Sequence, residues 1–94
     1  MLSQIPINLE KIETKNIDVE ILRAGVIAEL DAINLYEQMA AMAQDEKIKD
    51  ILLDIAKEEK THVGEFQALL LNRDKQQAEE LAAGREEVKK EVGE

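Results

Sequence analysis

Glu59 and His62 form a Glu-x-x-His pair, and Glu29 is a third potential metal ligand thirty positions earlier. On a helix, residues i and i+3 share one face, close enough to hold one metal ion or two adjacent ones. Carboxylate and imidazole donors with open positions suit Fe(II), and they also accept Mn(II) or Zn(II). Tyr36 follows Glu29 by two helical turns along the same face. Taken singly, each residue has a plainer reading. The chain is rich in glutamate, so a Glu three positions before the only His is a weak signal. A lone His on an apolar face is more often a satisfied core side chain than a ligand. Glu59 could pair with Lys60 or Arg73 on the surface, and Tyr36 and Phe66 could simply fill a core.

The elements that must position these residues are helices. The chain has 4 Gly and 1 Pro, which favours long uninterrupted segments. The first seventeen residues lack a helical period and read as an extended arm or loop. Asp18 is a plausible N-cap for a first helix over 18–43, with Glu20 in its first turn, where the helix dipole favours negative charge. Gly25 is its one interior glycine and costs about 1 kcal/mol against Ala, which a long helix tolerates. A turn at Gln44-Asp45 follows, with Asp45 capping a second helix over 46–71. Asp74 and Gln77 resemble a capping box for a shorter, more charged third helix over 75–92, which could bend near Gly84. The predicted domain division is therefore an arm, 1–17, and one helical domain, 18–94.

Apolar residues spaced alternately three and four apart mark one face of a helix. The first helix carries such a seam at Val19, Leu22, Val26, Glu29, Ile33, Tyr36 and Ala40. The second carries one at Ile48, Leu52, Ile55, Glu59, His62, Phe66 and Leu69. Each seam is apolar except for ionisable groups half-way along it. Carboxylates are costly to bury unless they are paired, hydrogen-bonded or bound to metal. In a helical hairpin, residues equally far from the turn meet. Glu29 lies about sixteen residues before the turn, and Glu59 and His62 lie about fourteen to seventeen after it. The coincidence in height of three potential ligands on two independent seams is a stronger signal than any one of them.

Composition narrows the function classes. The formal net charge is −9 over 94 residues, which argues against nucleic acid or an anionic membrane as partner. There is no cysteine, so disulfides and thiolate zinc sites are excluded. No apolar run approaches a membrane span, and the N-terminus lacks the pattern of a signal peptide, so a soluble, intracellular protein is expected. The two predicted long helices span roughly 39 Å each, long for so short a chain, which leaves faces to bury against other chains.

A carboxylate-bridged di-iron site in a four-helix bundle takes a Glu from each of two helices and a Glu-x-x-His from each of the other two. This chain has one helix of each kind and so carries half a site. Two copies about a two-fold axis would complete it, with the metals at their interface. The expected fold is all-α, an antiparallel two-helix hairpin plus a shorter C-terminal helix, with the four-helix bundle completed by homodimerisation.

The stretch Ile-Ala-Glu29-Leu-Asp-Ala-Ile-Asn-Leu-Tyr36-Glu-Gln-Met, followed by Glu58-Glu59-Lys-Thr-His62-Val-Gly-Glu-Phe, resembles the encapsulated ferritins. These are ferritin-like half-bundles that dimerise to complete a ferroxidase centre. The likeness extends over about residues 18 to 92. It implies a ferroxidase that oxidises Fe(II) to Fe(III), with oxygen as oxidant, at a di-iron centre holding two irons per dimer. Glu59 would be the bridging carboxylate, Glu29 and His62 terminal ligands, and Tyr36 would lie behind the ligands or close to a metal across the dimer. It further implies a homodimer assembling into a ring, typically a decamer, and residence in the cytoplasm within an encapsulin nanocompartment, whose shell stores the mineral. Some relatives flank the Glu of helix one with two acidic residues as a metal-access path. Here the neighbours are Ala28 and Asp31, so Asp31 is the one candidate for that path. Many relatives also end in a shell-targeting peptide, and no such motif is expected within these 94 residues, whose last stretch is Glu91-Val-Gly-Glu94. The stretch Ala-Glu29-Leu-Asp-Ala-Ile-Asn-Leu-Tyr36 resembles archaeal versions fused ahead of the shell protein, and the 94 residues are expected to be a domain of such a fusion. The rival readings are a rubrerythrin-like peroxidase using the same centre and a non-catalytic helical oligomerisation module. In the third helix, Leu81, Val88 and Val92 lie near one face among Glu79, Glu80, Glu86 and Glu87, the pattern of an amphipathic helix packing on a neighbouring dimer.

Overall fold

The computed structural model describes Asn8, Glu10 and residues 14–94. Among them are three α-helices and no strand: α1 (Ile17–Met42), α2 (Glu46–Leu71) and α3 (Lys75–Val92), with a 3-10 turn, Thr14–Asn16, directly ahead of α1. The fold is all-α, as the seams predict. Most of the expected arm lies outside the described residues. Its last part is not extended, because Thr14–Asn16 form the 3-10 turn and Ile17 already belongs to α1. Asn16 therefore occupies the N-cap position, without a side-chain capping bond, and Asp18 sits inside the first turn beside Glu20. There both carboxylates still face the positive end of the helix dipole.

Aspartates open the other two helices. Asp45 accepts hydrogen bonds from the backbone N–H of Lys47 (2.8 Å) and Ile48 (3.3 Å), satisfying two of the donors that a helix start leaves unpaired. Asp74 accepts from the Gln77 N–H at 3.0 Å. Only that half of the expected capping box forms, because the Asp74 N–H donates to the Leu70 carbonyl instead. Asp74 also accepts from the Arg23 guanidinium at 2.6 Å, and Arg23 reaches Glu20 at 3.0 Å. This pair ties the start of α3 back to α1. The α3 helix runs unbroken through Gly84 and ends at Gly93, whose φ of 78° is the left-handed conformation that closes many helices.

Helices α1 and α2 form an antiparallel hairpin and make most of the contacts between elements, while α3 touches α2 only lightly and has no buried residue. The buried apolar residues are Leu22, Ile33, Ala40, Ala56 and Leu70. Three of them lie on the expected α1 seam. In α2 the expected seam is displaced. The buried positions Ala56 and Leu70 fall one residue beyond Ile55 and Leu69, and Ile48 and Leu69 are exposed. The face of α2 turned to α1 therefore runs through Leu52, Ala56, Glu59, Val63, Phe66 and Leu70. Ile48, Ile55, His62 and Leu69 form a strip at its edge. Among the described residues α1 supplies most of the cover for α2 and α3 touches it only lightly, so a stripe read as one seam splits into a covered line and an open margin.

Candidate metal centre

Half-way along the hairpin, α1 presents Glu29 and α2 presents Glu59 and His62. Each offers one ligand atom, and the three atoms lie within 4.8 Å of one another. The His62 Nδ1 is 3.4 Å from Glu59 Oε2 and 3.5 Å from Glu29 Oε2. Both separations exceed the usual length of an N–H···O hydrogen bond. Donors about 2.1 Å from a metal stand about 3.0 Å apart around an octahedral ion and about 3.4 Å apart around a tetrahedral one. The observed spacing thus suits a shared cation.

Satisfaction of polar atoms points the same way. Glu29 Oε2 is buried and has no hydrogen-bond partner. Buried polar atoms are nearly always paired, and a carboxylate oxygen left alone is a costly arrangement. Among the described residues, neither glutamate has a Lys or Arg within ion-pair distance. The surface pairing considered for Glu59 does not form, since Lys60 reaches across to Glu37 at 3.1 Å and Arg73 donates to the Leu69 carbonyl. The residues present fit a divalent cation.

The centre is lopsided in its exposure. The Glu29 and Glu59 side chains are 18% and 19% exposed, whereas His62, on the open margin of α2, is 45% exposed. Glu29 and His62 line a shallow depression of about 390 Å³ together with Glu65, Phe66 and Leu69. Glu65 is absent from the residues singled out by sequence, although it follows His62 at the same three-residue spacing that joins Glu59 to His62. Tyr36 is half-buried and is not part of the cluster. Seven residues of helix set it about 10 Å from Glu29 along α1. Asp31 is buried. Two residues of helix turn through about 200°, which carries Asp31 to the side of α1 away from Glu29 and the depression.

A long-helix hairpin with a carboxylate on one arm and Glu-x-x-His on the other is half of a ferritin-like four-helix bundle. The chain belongs to the EncFtn-like family, whose model matches residues 4–87. It is 60% identical over 95 residues to the ferritin-like-encapsulin shell fusion protein of Pyrococcus furiosus, a match covering 99% of this chain and 28% of that protein. The chain thus spans a little over a quarter of that relative's length. The crystal structure of the encapsulated ferritin domain from Pyrococcus furiosus superposes with a TM-score of 0.85 at 58% identity, covering all of this chain and 98% of that one. Among the described residues, no helix is long and apolar enough to cross a membrane.

Proposed function

We propose that two copies of this chain form a ferroxidase, oxidising Fe(II) to Fe(III) at a centre built from Glu29, Glu59 and His62 of each copy. The observation that carries this reading is the cluster itself, with Glu29 Oε2 buried and unpartnered beside a half-exposed His62. One chain offers two carboxylates and one imidazole, which underfills a pair of metal ions. Two chains offer four carboxylates and two imidazoles, the full set for a bundle of this class. The four negative charges then balance two Fe(II) ions. By its resemblance to the encapsulated ferritins, Glu59 would be the bridging carboxylate, with Glu29 and His62 as terminal ligands and the imidazole shared between the two carboxylates. Tyr36 lies too far along α1 to ligate within its own chain and acts near the centre only across the dimer. A metal-access role for Asp31 needs a surface other than the depression beside His62.

Fe(II) is the substrate, and each ion gives up one electron. Two ions reduce one dioxygen to hydrogen peroxide with the uptake of two protons. The chain's own residues gather the ions, hold them adjacent and keep them partly desolvated, where fixed carboxylates interact most strongly with charge. The acidic surface raises the local cation concentration. The fusion of a ferritin-like unit to an encapsulin shell in the Pyrococcus furiosus relative supports a matching setting here. The chain then works as a homodimer within a ring, typically a decamer, inside an encapsulin nanocompartment in the cytoplasm, which stores the oxidised iron.

The test is anaerobic loading with Fe(II) followed by air and absorbance of Fe(III). Glu29→Ala, Glu59→Ala and His62→Ala should each lower the rate above the protein-free blank by at least about tenfold, the cost of losing even an outer partner of a metal ligand. Wild-type rates in these variants would refute the assignment.

A further inference from the structure

Gly25 lies one turn before Glu29 on α1, and Phe66 lies one turn after His62 on α2. The two form the layer stacked directly on the ligands. A Cβ added at Gly25 would meet Phe66 Cδ1 at 2.9 Å and Cε1 and Cγ at 3.0 Å. Carbon atoms in ordinary contact stand about 3.5–4.0 Å apart. Because three ring atoms are met at once, no small rotation of a flexible tip relieves the clash. The ring as a whole must move, or the helices must part. Phe66 also lines the depression shared by Glu29 and His62, so a displaced ring moves against the ligand layer.

The ligand set spans both helices, and its separations depend on how closely they approach. We propose that Gly25 is a positioning residue for the metal centre. By leaving the α1 backbone bare beneath the Phe66 ring, it sets the α1–α2 spacing that brings Glu29 Oε2 to 3.5 Å from His62 Nδ1. This rests on the metal reading of the Glu29, Glu59 and His62 cluster. Gly84 provides the contrast, since nothing stands within 4 Å of a Cβ added there.

The experiment is titration of the full chain with Co(II), followed by its visible d–d absorption, alongside thermal melting. Gly25→Ala should weaken Co(II) binding at least about tenfold and shift the bands. It should also lower the melting temperature although alanine is the better helix former. In the Phe66→Leu background, Gly25→Ala should change Co(II) affinity by no more than about twofold, because the ring it strikes is gone. Gly84→Ala should leave Co(II) binding unchanged and raise the melting temperature. A Gly25→Ala variant that binds like wild type overturns the proposal. So does an equal loss in both backgrounds, or a double variant that fails to fold while Phe66→Leu folds. If Gly25→Ala alone does not fold, the double variant binding Co(II) like Phe66→Leu still supports it. Wild-type protein that binds no Co(II) overturns the metal reading itself and the role of Gly25 with it, whereas binding without coupling overturns only the role of Gly25.

Discussion

At the scale of residues, Glu29 and Glu59 set up a conflict between stability and function. Their carboxylates share one imidazole, and Glu29 Oε2 has no donor. Without metal the two like charges repel across a partly buried gap. Removing one of them should relieve the metal-free protein while destroying its use. Metal-free Glu59→Gln is expected to be more stable than wild type by about 1 kcal/mol, a rise of several degrees in melting temperature. Wild type should gain about 2.7 kcal/mol when Co(II) is supplied at a hundred times its dissociation constant, and the variant should gain almost nothing. Calorimetry with and without Co(II) checks both. A Glu59→Gln protein that melts lower without metal and still responds to it would contradict this account. The clustering of Glu29, Glu59 and His62 was legible in the sequence because each interrupts an apolar stripe at a height fixed by counting from the turn. The contact of Gly25 with Phe66 was not legible. Which side chain lies over a helical glycine depends on the rotation of the facing helix, and no spacing within α1 records it.

At the scale of elements, helix starts carried clear local signals where the cap was an aspartate. Asp45 and Asp74 hold the donors that sequence assigned to them, and α2 and α3 occupy 46–71 and 75–92. The start of α1 was misplaced by one residue because Asn16 takes the cap position without a side-chain bond, leaving no chemistry for the sequence to display. Asp74 does more than cap. The Gln77 N–H and then the Arg23 guanidinium hold its carboxyl below the usual aspartate range. A carboxylate whose folded-state pKa is lowered contributes stability that is fully present above the unfolded value. That contribution is lost as pH falls through the folded value. The attachment of α3 to α1 should therefore persist at neutral pH and weaken only in acid below the ordinary aspartate value of 3.8. Amide-exchange protection of α3, followed from pH 6 downward, should fall there before that of the α1–α2 hairpin. Asp74→Asn keeps a capping acceptor but loses the charge that pairs with Arg23. It should show reduced α3 protection already at neutral pH and little further acid dependence. An unchanged acid profile in the variant would separate α3 from this contact.

At the scale of the whole molecule, the unresolved half of the sequence pattern becomes informative. Of the α2 stripe read as one seam, Leu52, Glu59 and Phe66 fall on the covered line with Ala56 and Leu70, whereas Ile48 and Leu69 are exposed and His62 belongs to the open margin. A sequence records the burial a residue has in its working assembly, so a stripe too wide for one partner helix implies a second. On α1, Ile27 and Leu30 are also exposed, so the hairpin is left apolar on more than one side. If the margin is where a second copy packs, breaking it far from any ligand must break the centre. Ile48 lies about 21 Å along α2 from His62 and touches no ligand. Ile48→Arg would place a charge in the apolar core of that contact, a change that commonly costs more than 2 kcal/mol of association. The variant should sediment as a smaller species at micromolar concentration. Its Fe(II) oxidation per chain should fall at least about tenfold and recover in part as protein concentration rises, since mass action restores the dimer. Folding should be unaffected, as Ile48 is 56% exposed within its own chain. A monomeric Ile48→Arg protein that oxidises iron at the wild-type rate per chain would show that one hairpin holds a complete site.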